Sequence, residues 1–384
     1  MSQPIYLDNA ATTALDPEVL NAMLPYLQQH YGNPSSSYSI GRTTRSAIEF
    51  ARRSVGQVLG VKPTTIYFTS GGTESNNTAI ASAVNHLNCT HIITSKIEHH
   101  AVLHTVNHYS KAKNIGLSYV ALNSVGEVDY ADLETQLEMQ HTAGNKCLVT
   151  LMHANNEIGS LLDIARVGKL CKKYAAIFHS DCVQTIGHYP INLVEAGVHF
   201  ASAAGHKFHG PKGTGLLYIC ESIASQPLIF GGGQERNMRA GTENLYGIIG
   251  FAKALELATE GYASDSAYIA ELNHFMREEL AVQIPGISFH NPINSLYTVL
   301  SVGFPKSDQS DMLVMLFDMN GICVSGGSAC SSGDGGSHVM QALDKHKSCA
   351  TIRFSFCKHT TKADISRALE VASSIFNKKA VAIN

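Results

Sequence analysis

Through the middle of the chain, short apolar and β-branched runs alternate with longer stretches in which apolar residues recur every third or fourth position. The first pattern suits buried strands and the second suits helices with one covered face. TIYFTS (65–70), HIITS (91–95), LSYVAL (117–122), CLVTLMH (147–153), AIFHSD (176–181), HFASA (199–203) and TGLLYIC (214–220) read as strands. Helices are expected near 17–29, 42–58, 74–87, 99–113, 129–139, 163–174 and 243–259. Strands alternating with helices predict an open α/β sheet, mostly parallel, with crossover helices. Past residue 260 the texture changes. YIAELNHFMREELAVQI reads as a helix, LYTVLSVGF as a strand, DMLVMLFDMNG as a helix, ATIRFSFC as a strand and KADISRALEVASSIF as a closing helix. That order suits a smaller α+β domain. The expected division is a large domain over 15–258 and a small one built from 1–14 and 259–384.

At 384 residues and 44% hydrophobic content, the chain is long enough to bury two such cores. A net charge of −3 with 15% charged residues offers no basic stripe for nucleic acid and no polybasic membrane patch, so small-molecule chemistry is favoured. The N-terminus, MSQPIYLDNAATT, lacks a cationic start followed by an apolar core, and no apolar run reaches the roughly 18 residues of a membrane span. A cytoplasmic location is expected. The nine cysteines contain no C-x-x-C pair and the nineteen histidines no H-E-x-x-H, so neither a disulfide framework nor a bound metal is expected.

In open α/β sheets ligands bind beyond the carboxyl ends of the strands, and the residues just after each predicted strand form a coherent set. After the first come Gly71 and Gly72, which permit close backbone approach, and Thr73, which opens a helix whose free N–H groups suit a phosphate. A plain tight turn would use the same residues. Asp181 ends a strand as a lone carboxylate that needs a partner, either a protonated pyridine nitrogen or the next segment as an N-cap. Val183, two residues on, would form an apolar floor under an aromatic ring, with Gln184 reaching a ring substituent. Lys207, 26 residues after Asp181, sits past another strand in a Gly-bounded turn, where a partly desolvated amine could form a Schiff base. Lys212, in the following turn, is expected to face solvent or a phosphate. A phosphate cradle, an acid for a pyridinium and an imine-forming lysine together specify pyridoxal 5′-phosphate.

With those residues in hand, YLDNAATT, TSGGTESNN, SKIEHHAV, MHANNEIG, SDCVQTIG, GHKFHGPKG, GGGQERNMRAGTEN, SGGSACSS and IRFSF resemble, in order and spacing, the cysteine desulfurases. These are fold-type I pyridoxal-phosphate transferases of the class V aminotransferase family, and the resemblance runs from about residue 5 to residue 357. It implies Lys207 as the covalent anchor of the cofactor, Asp181 as pyridinium partner and Gln184 on the ring hydroxyl. His99 would stack on the ring and assist proton transfer. Asn156 would lie beside cofactor and substrate. Gly72, Thr73 and His206 would hold the phosphate, with Thr242 reaching it from the second subunit of a homodimer. Arg353 would clamp the carboxylate of L-cysteine.

Cys330 lies in SGGSACSSGDGGS (325–337), a composition expected of a tether with an r.m.s. span of roughly 20 Å. The resemblance implies that this thiol takes sulfur as a persulfide and passes it to acceptor proteins, for iron–sulfur cluster assembly or RNA thiolation. The long Gly-rich arm resembles the flexible-loop subgroup. Three features depart from the family pattern. Ala204 replaces the serine of Ser-Gly-His-Lys and removes a hydroxyl expected on the phosphate, for which Ser202 or Thr73 could compensate. Cys182 stands where a small residue such as alanine is usual. Only 31 residues follow Arg353, a short tail for docking a scaffold. Other readings are a selenocysteine lyase or aminotransferase of the same fold, and a catalytically silent sulfur carrier.

Overall fold

The computed structural model describes residues 4–326 and 336–377. Its N-terminal part holds β1 (Ile5–Tyr6), α1 (Pro17–Gln28), α2 (Ser39–Leu59), β2 (Ile66–Thr69), α3 (Gly72–Asn85), β3 (His91–Thr94) and α4 (His100–Lys113). The middle holds β4 (Gly116–Tyr119), α5 (Tyr130–Thr142), β5 (Cys147–Thr150), α6 (Ile164–Lys173), β6 (Ile177–Asp181), β7 (Phe200–Ala204), β8 (Gly215–Ile219) and α7 (Leu245–Glu260). There follow α8 (Tyr262–Gln283), β9 (Ser288–Phe289), β10 (Val299–Pro305), α9 (Leu313–Met319), β11 (Ile322–Cys323), α10 (His338–Ala342), β12 (Cys349–Ser355) and α11 (Lys362–Asn377).

The seven strands read from the sequence form one sheet, in the order β2-β8-β7-β6-β5-β3-β4. Its pairs are parallel except where β8 meets β2 and β7. Alternation along each strand divides two cores. Ile92, Leu148, Ile177, Phe200 and Leu217 face α3 and α4. Ile93, Val149, Phe178, Ala201 and Leu216 face the core shared with α1, α2, α5, α6 and α7. A sheet covered on both faces needs just such continuous apolar strands.

A further core joins Leu7 to residues of α8, β10, α9, β12 and α11 around the three-stranded antiparallel sheet β12-β10-β9. The N-terminal segment reaches it because β1 pairs in parallel with β11, Ile5 opposite Ile322. Strands β1, β9 and β11 left no trace in the pattern of apolar positions. Two-residue strands are too short to show a period. Helix α8 also starts earlier than its apolar pattern does, since YASDSA (262–267) is polar and continues the helical path from α7 past Gly261. No helix among the described residues is long and apolar enough to cross a membrane.

Candidate active site

Because β2, β3, β5, β6 and β7 share one direction, their carboxyl ends open on the same edge of the sheet, around a cavity of about 270 Å³. Gly72 and Thr73 follow β2, His99 follows β3, Asn156 follows β5, Asp181 and Gln184 close β6, and His206 and Lys207 follow β7; all line it. Arg353 enters from the small sheet, at the register opposite Ser301. Thr242 is exposed and absent from this lining, and Cys330 lies outside the described residues.

Each side chain is held by identifiable contacts. Lys207 Nζ donates to the carbonyls of Ala10 at 2.6 Å and Ala11 at 2.9 Å. Lys212 is exposed and does not line the cavity. His99 caps α4: its Nδ1 accepts from the Ala101 N–H at 3.0 Å, so the ring proton sits on Nε2. Burial lowers His99 from the usual histidine range, and the neighbouring Asp181 charge works the other way. His206 Nδ1 lies 3.1 Å from Thr12 Oγ1, and burial beside Lys207 pushes this ring down to about 4. Gln184 Nε2 donates to the Ala10 carbonyl at 3.0 Å. Asp181 accepts from Asn76 Nδ2 at 2.6 Å and from the Val183 N–H at 3.0 Å.

Arg353 is 1% exposed. Its Nη1 donates to the Asn156 carbonyl at 2.8 Å and its Nη2 to Asp8 Oδ1 at 2.5 Å, whereas its buried Nε has no partner among the described residues. A buried N–H left unpaired is costly, and a substrate carboxylate would satisfy it.

Three observations test whether these residues fit pyridoxal phosphate. No side chain caps the first turn of α3, which leaves its N–H groups for an anion. A Cβ on Gly72 would come 2.6 Å from Val183 Cγ2, so glycine keeps this approach open. Asp181, 6% exposed, offers a carboxylate at the lip of an apolar strand. The residues fit the group.

Of the two residues that could compensate for Ala204, Thr73 lines the cavity and Ser202 does not. Ser202 is fully buried, and its hydroxyl lies 3.3 Å from His179 Nε2. Cys182 now has an account: it packs in the α1, α2 and α7 core, opposite in pleat to Asp181, where burial pushes its thiol up to about 12 and it acts as a small apolar residue.

Sequence reasoning missed Asp8, the Ala10 and Ala11 carbonyls, Asn76 and Met152. Asn76 carried a signal, one helical turn after Gly72 on the same face. It also missed two buried acids near the cleft. Glu98, which accepts from the Met152 N–H, is raised well above the carboxylate range by burial and then by Asp181. Glu157 is raised by burial and accepts at 2.5 Å from Oγ of Ser337, the last residue of the Gly-rich segment.

This fold and this cleft define a pyridoxal-phosphate-dependent enzyme of fold type I. The aminotransferase class-V family matches residues 5–368. A cysteine desulfurase IscS of Dictyoglomus turgidum is 42% identical over 384 residues, covering 98% of this chain and 96% of that protein. A cysteine desulfurase IscS of Methanosarcina thermophila is 39% identical over 98% of this chain and 93% of its own. Among solved structures, a NifS-like protein superposes with a TM-score of 0.88 at 35% identity, over 98% of this chain and all of that one. A structure described as SspA in complex with cysteine reaches a TM-score of 0.78 at 29% identity, over 93% of this chain and 99% of that one. The chain belongs to the aminotransferase class-V family and, within it, to the cysteine desulfurases.

Proposed function

We propose that this protein removes sulfur from L-cysteine, releases L-alanine, and carries the sulfur as a persulfide on Cys330. The observation that carries the reading is the convergence of Lys207, Asp181 and the α3 turn with a buried Arg353, whose Nε awaits a partner, in one cleft. Lys207, Asp181, Gln184, His99, Gly72, Thr73 and His206 would hold the cofactor, which when bound draws electrons away from the substrate Cα. Arg353 binds the carboxylate of cysteine, and the Asn156 carbonyl and Asp8 fix the plane of its guanidinium. Lys207 Nζ removes the Cα proton. His99 presents its Nε2–H within the same cleft and moves a proton to or from the substrate. The Cys330 thiolate attacks the substrate sulfur, so that an S–S bond forms as the Cβ–S bond breaks, and the Cα–Cβ unit takes up protons to become alanine.

Thr242 would serve a partner subunit. The exposed aromatics Tyr31, Tyr38, Phe50 and Phe230 support a homodimer, since they lie on two segments joined by the Gln234–Ser35 hydrogen bond. The two sets of cores support the division into a large domain over 15–258 and a small one over 1–14 and 259–384. A cytoplasmic location and transfer of sulfur to acceptor proteins complete the reading.

The experiment feeds L-cysteine to the purified protein without added thiol. Mass spectrometry is expected to find alanine in solution and one extra sulfur on Cys330. Undiminished multiple turnover by Cys330→Ser would sink the thiol's role.

A further inference from the structure

Under the floor of the cleft, polar side chains from β5, β6 and α3 form one hydrogen-bonded line that ends on Asp181. Thr150 and His179 are fully buried and Asn76 is 1% exposed. Strand alternation puts Thr150, His179 and Asp181 on the face that α3 covers, above Leu148 and Ile177. Thr150 Oγ1 lies 2.7 Å from His179 Nδ1, His179 Nε2 lies 3.1 Å from Asn76 Oδ1, and Asn76 Nδ2 lies 2.6 Å from Asp181 Oδ2.

The directions of these bonds follow from their end. A carboxylate only accepts, so Asn76 turns its NH2 to Asp181 and its carbonyl to His179. That carbonyl accepts in turn, so His179 carries its proton on Nε2, and Nδ1 takes the hydroxyl proton of Thr150. The ring must be neutral for this, and burial pushes His179 down to about 4. Every donor in the line therefore points toward the carboxylate, and bonds so aligned polarise one another in a low dielectric. The aligned dipoles thus converge on Asp181 Oδ2, while burial raises nearby Glu98 well above the carboxylate range.

We propose that Asn76 and His179 are positioning residues that keep Asp181 ionised and so fix the protonation of the cofactor's ring nitrogen. The inference rests on Asp181 being the partner of that nitrogen. If Asn76 is lost, Asp181 loses its shortest donor in a buried site, its carboxylate would hold a ring-nitrogen proton less firmly, and the electron withdrawal that the cofactor would supply would weaken.

The test uses holoenzyme loaded with cofactor labelled with 15N at the ring nitrogen. NMR reads the protonation of that atom, and deuterium exchange at the Cα of L-alanine reads proton abstraction. In Asn76→Ala and Asn76→Leu the ring signal is expected to move toward neutral pyridine and the exchange to slow by about ten- to a hundredfold, the usual cost of losing a supporting hydrogen bond behind a binding group. His179→Leu should move the signal the same way, and His179→Gln, which keeps a donor toward Asn76, should recover part of it. Asn76→Ala removes the donor without adding bulk or charge and carries the test if the leucine variant fails to fold. A wild-type ring signal in Asn76→Ala and His179→Leu, with Asp181→Ala shifted, overturns the inference alone. An unshifted Asp181→Ala overturns the assignment of Asp181 and the inference with it.

Discussion

At the residue scale, Arg353 shows how a binding group is prepared before its ligand arrives. Asp8 and the Asn156 carbonyl hold two corners of the guanidinium, and the unpaired Nε supplies the drive to take a carboxylate. Lysine lacks the planar fork and cannot span these partners. Arg353→Lys is expected to raise the KM for cysteine by about ten- to a hundredfold, in line with the loss of a charged hydrogen bond. An unchanged KM would remove Arg353 from the carboxylate site. Lys207 and Asp181 were legible because each follows or closes a strand with a chemistry its surroundings do not explain, whereas Arg353 was legible only through the resemblance to the family. Asp8 and the Ala10 carbonyl were not, since they meet Arg353 and Lys207 across 345 and 197 positions of sequence.

At the element scale, the start of α3 decides the shape of the cleft floor. Gly72 is the first residue of a helix that alanine would favour on propensity alone, by up to about 1 kcal/mol. Its Cβ, however, would press on Val183 at 2.6 Å, and relieving such overpacking costs about 1–3 kcal/mol. Gly72→Ala is therefore expected to bind pyridoxal phosphate more weakly, by about tenfold or more, as read by dissociation of the cofactor in an absorbance titration. Adding Val183→Ala should restore most of the affinity, because the two changes share one contact. A double variant no better than Gly72→Ala would mean that the space is not what matters.

At the scale of the whole molecule, buried histidines set the response to acid. His153, His179 and His188 are pushed down to about 4 by burial, against the ordinary 6.5 of an unfolded chain. Between those values the unfolded chain binds protons that the folded chain refuses, so stability present above pH 6.5 is lost as the pH falls toward 4. Each ring contributes up to about 1.4 kcal/mol per pH unit. Denaturant unfolding at pH 7.5, 6 and 5 should show this decline, shallower in His153→Gln by about one proton's share. Equal stability at the three values would refute it.

The sequence by itself determined the seven strands, their helices, the mostly parallel sheet and the residues at its carboxyl edge, because burial on both faces writes apolar runs that local periodicity reveals. Only the tertiary structure decided that the N-terminal segment crosses into the small sheet, that Asp8 and Arg353 meet in the cleft, and that Thr150, His179 and Asn76 align behind Asp181. Those contacts join distant positions through strand pairing and side-chain direction, and a linear pattern of polar and apolar residues carries no record of either.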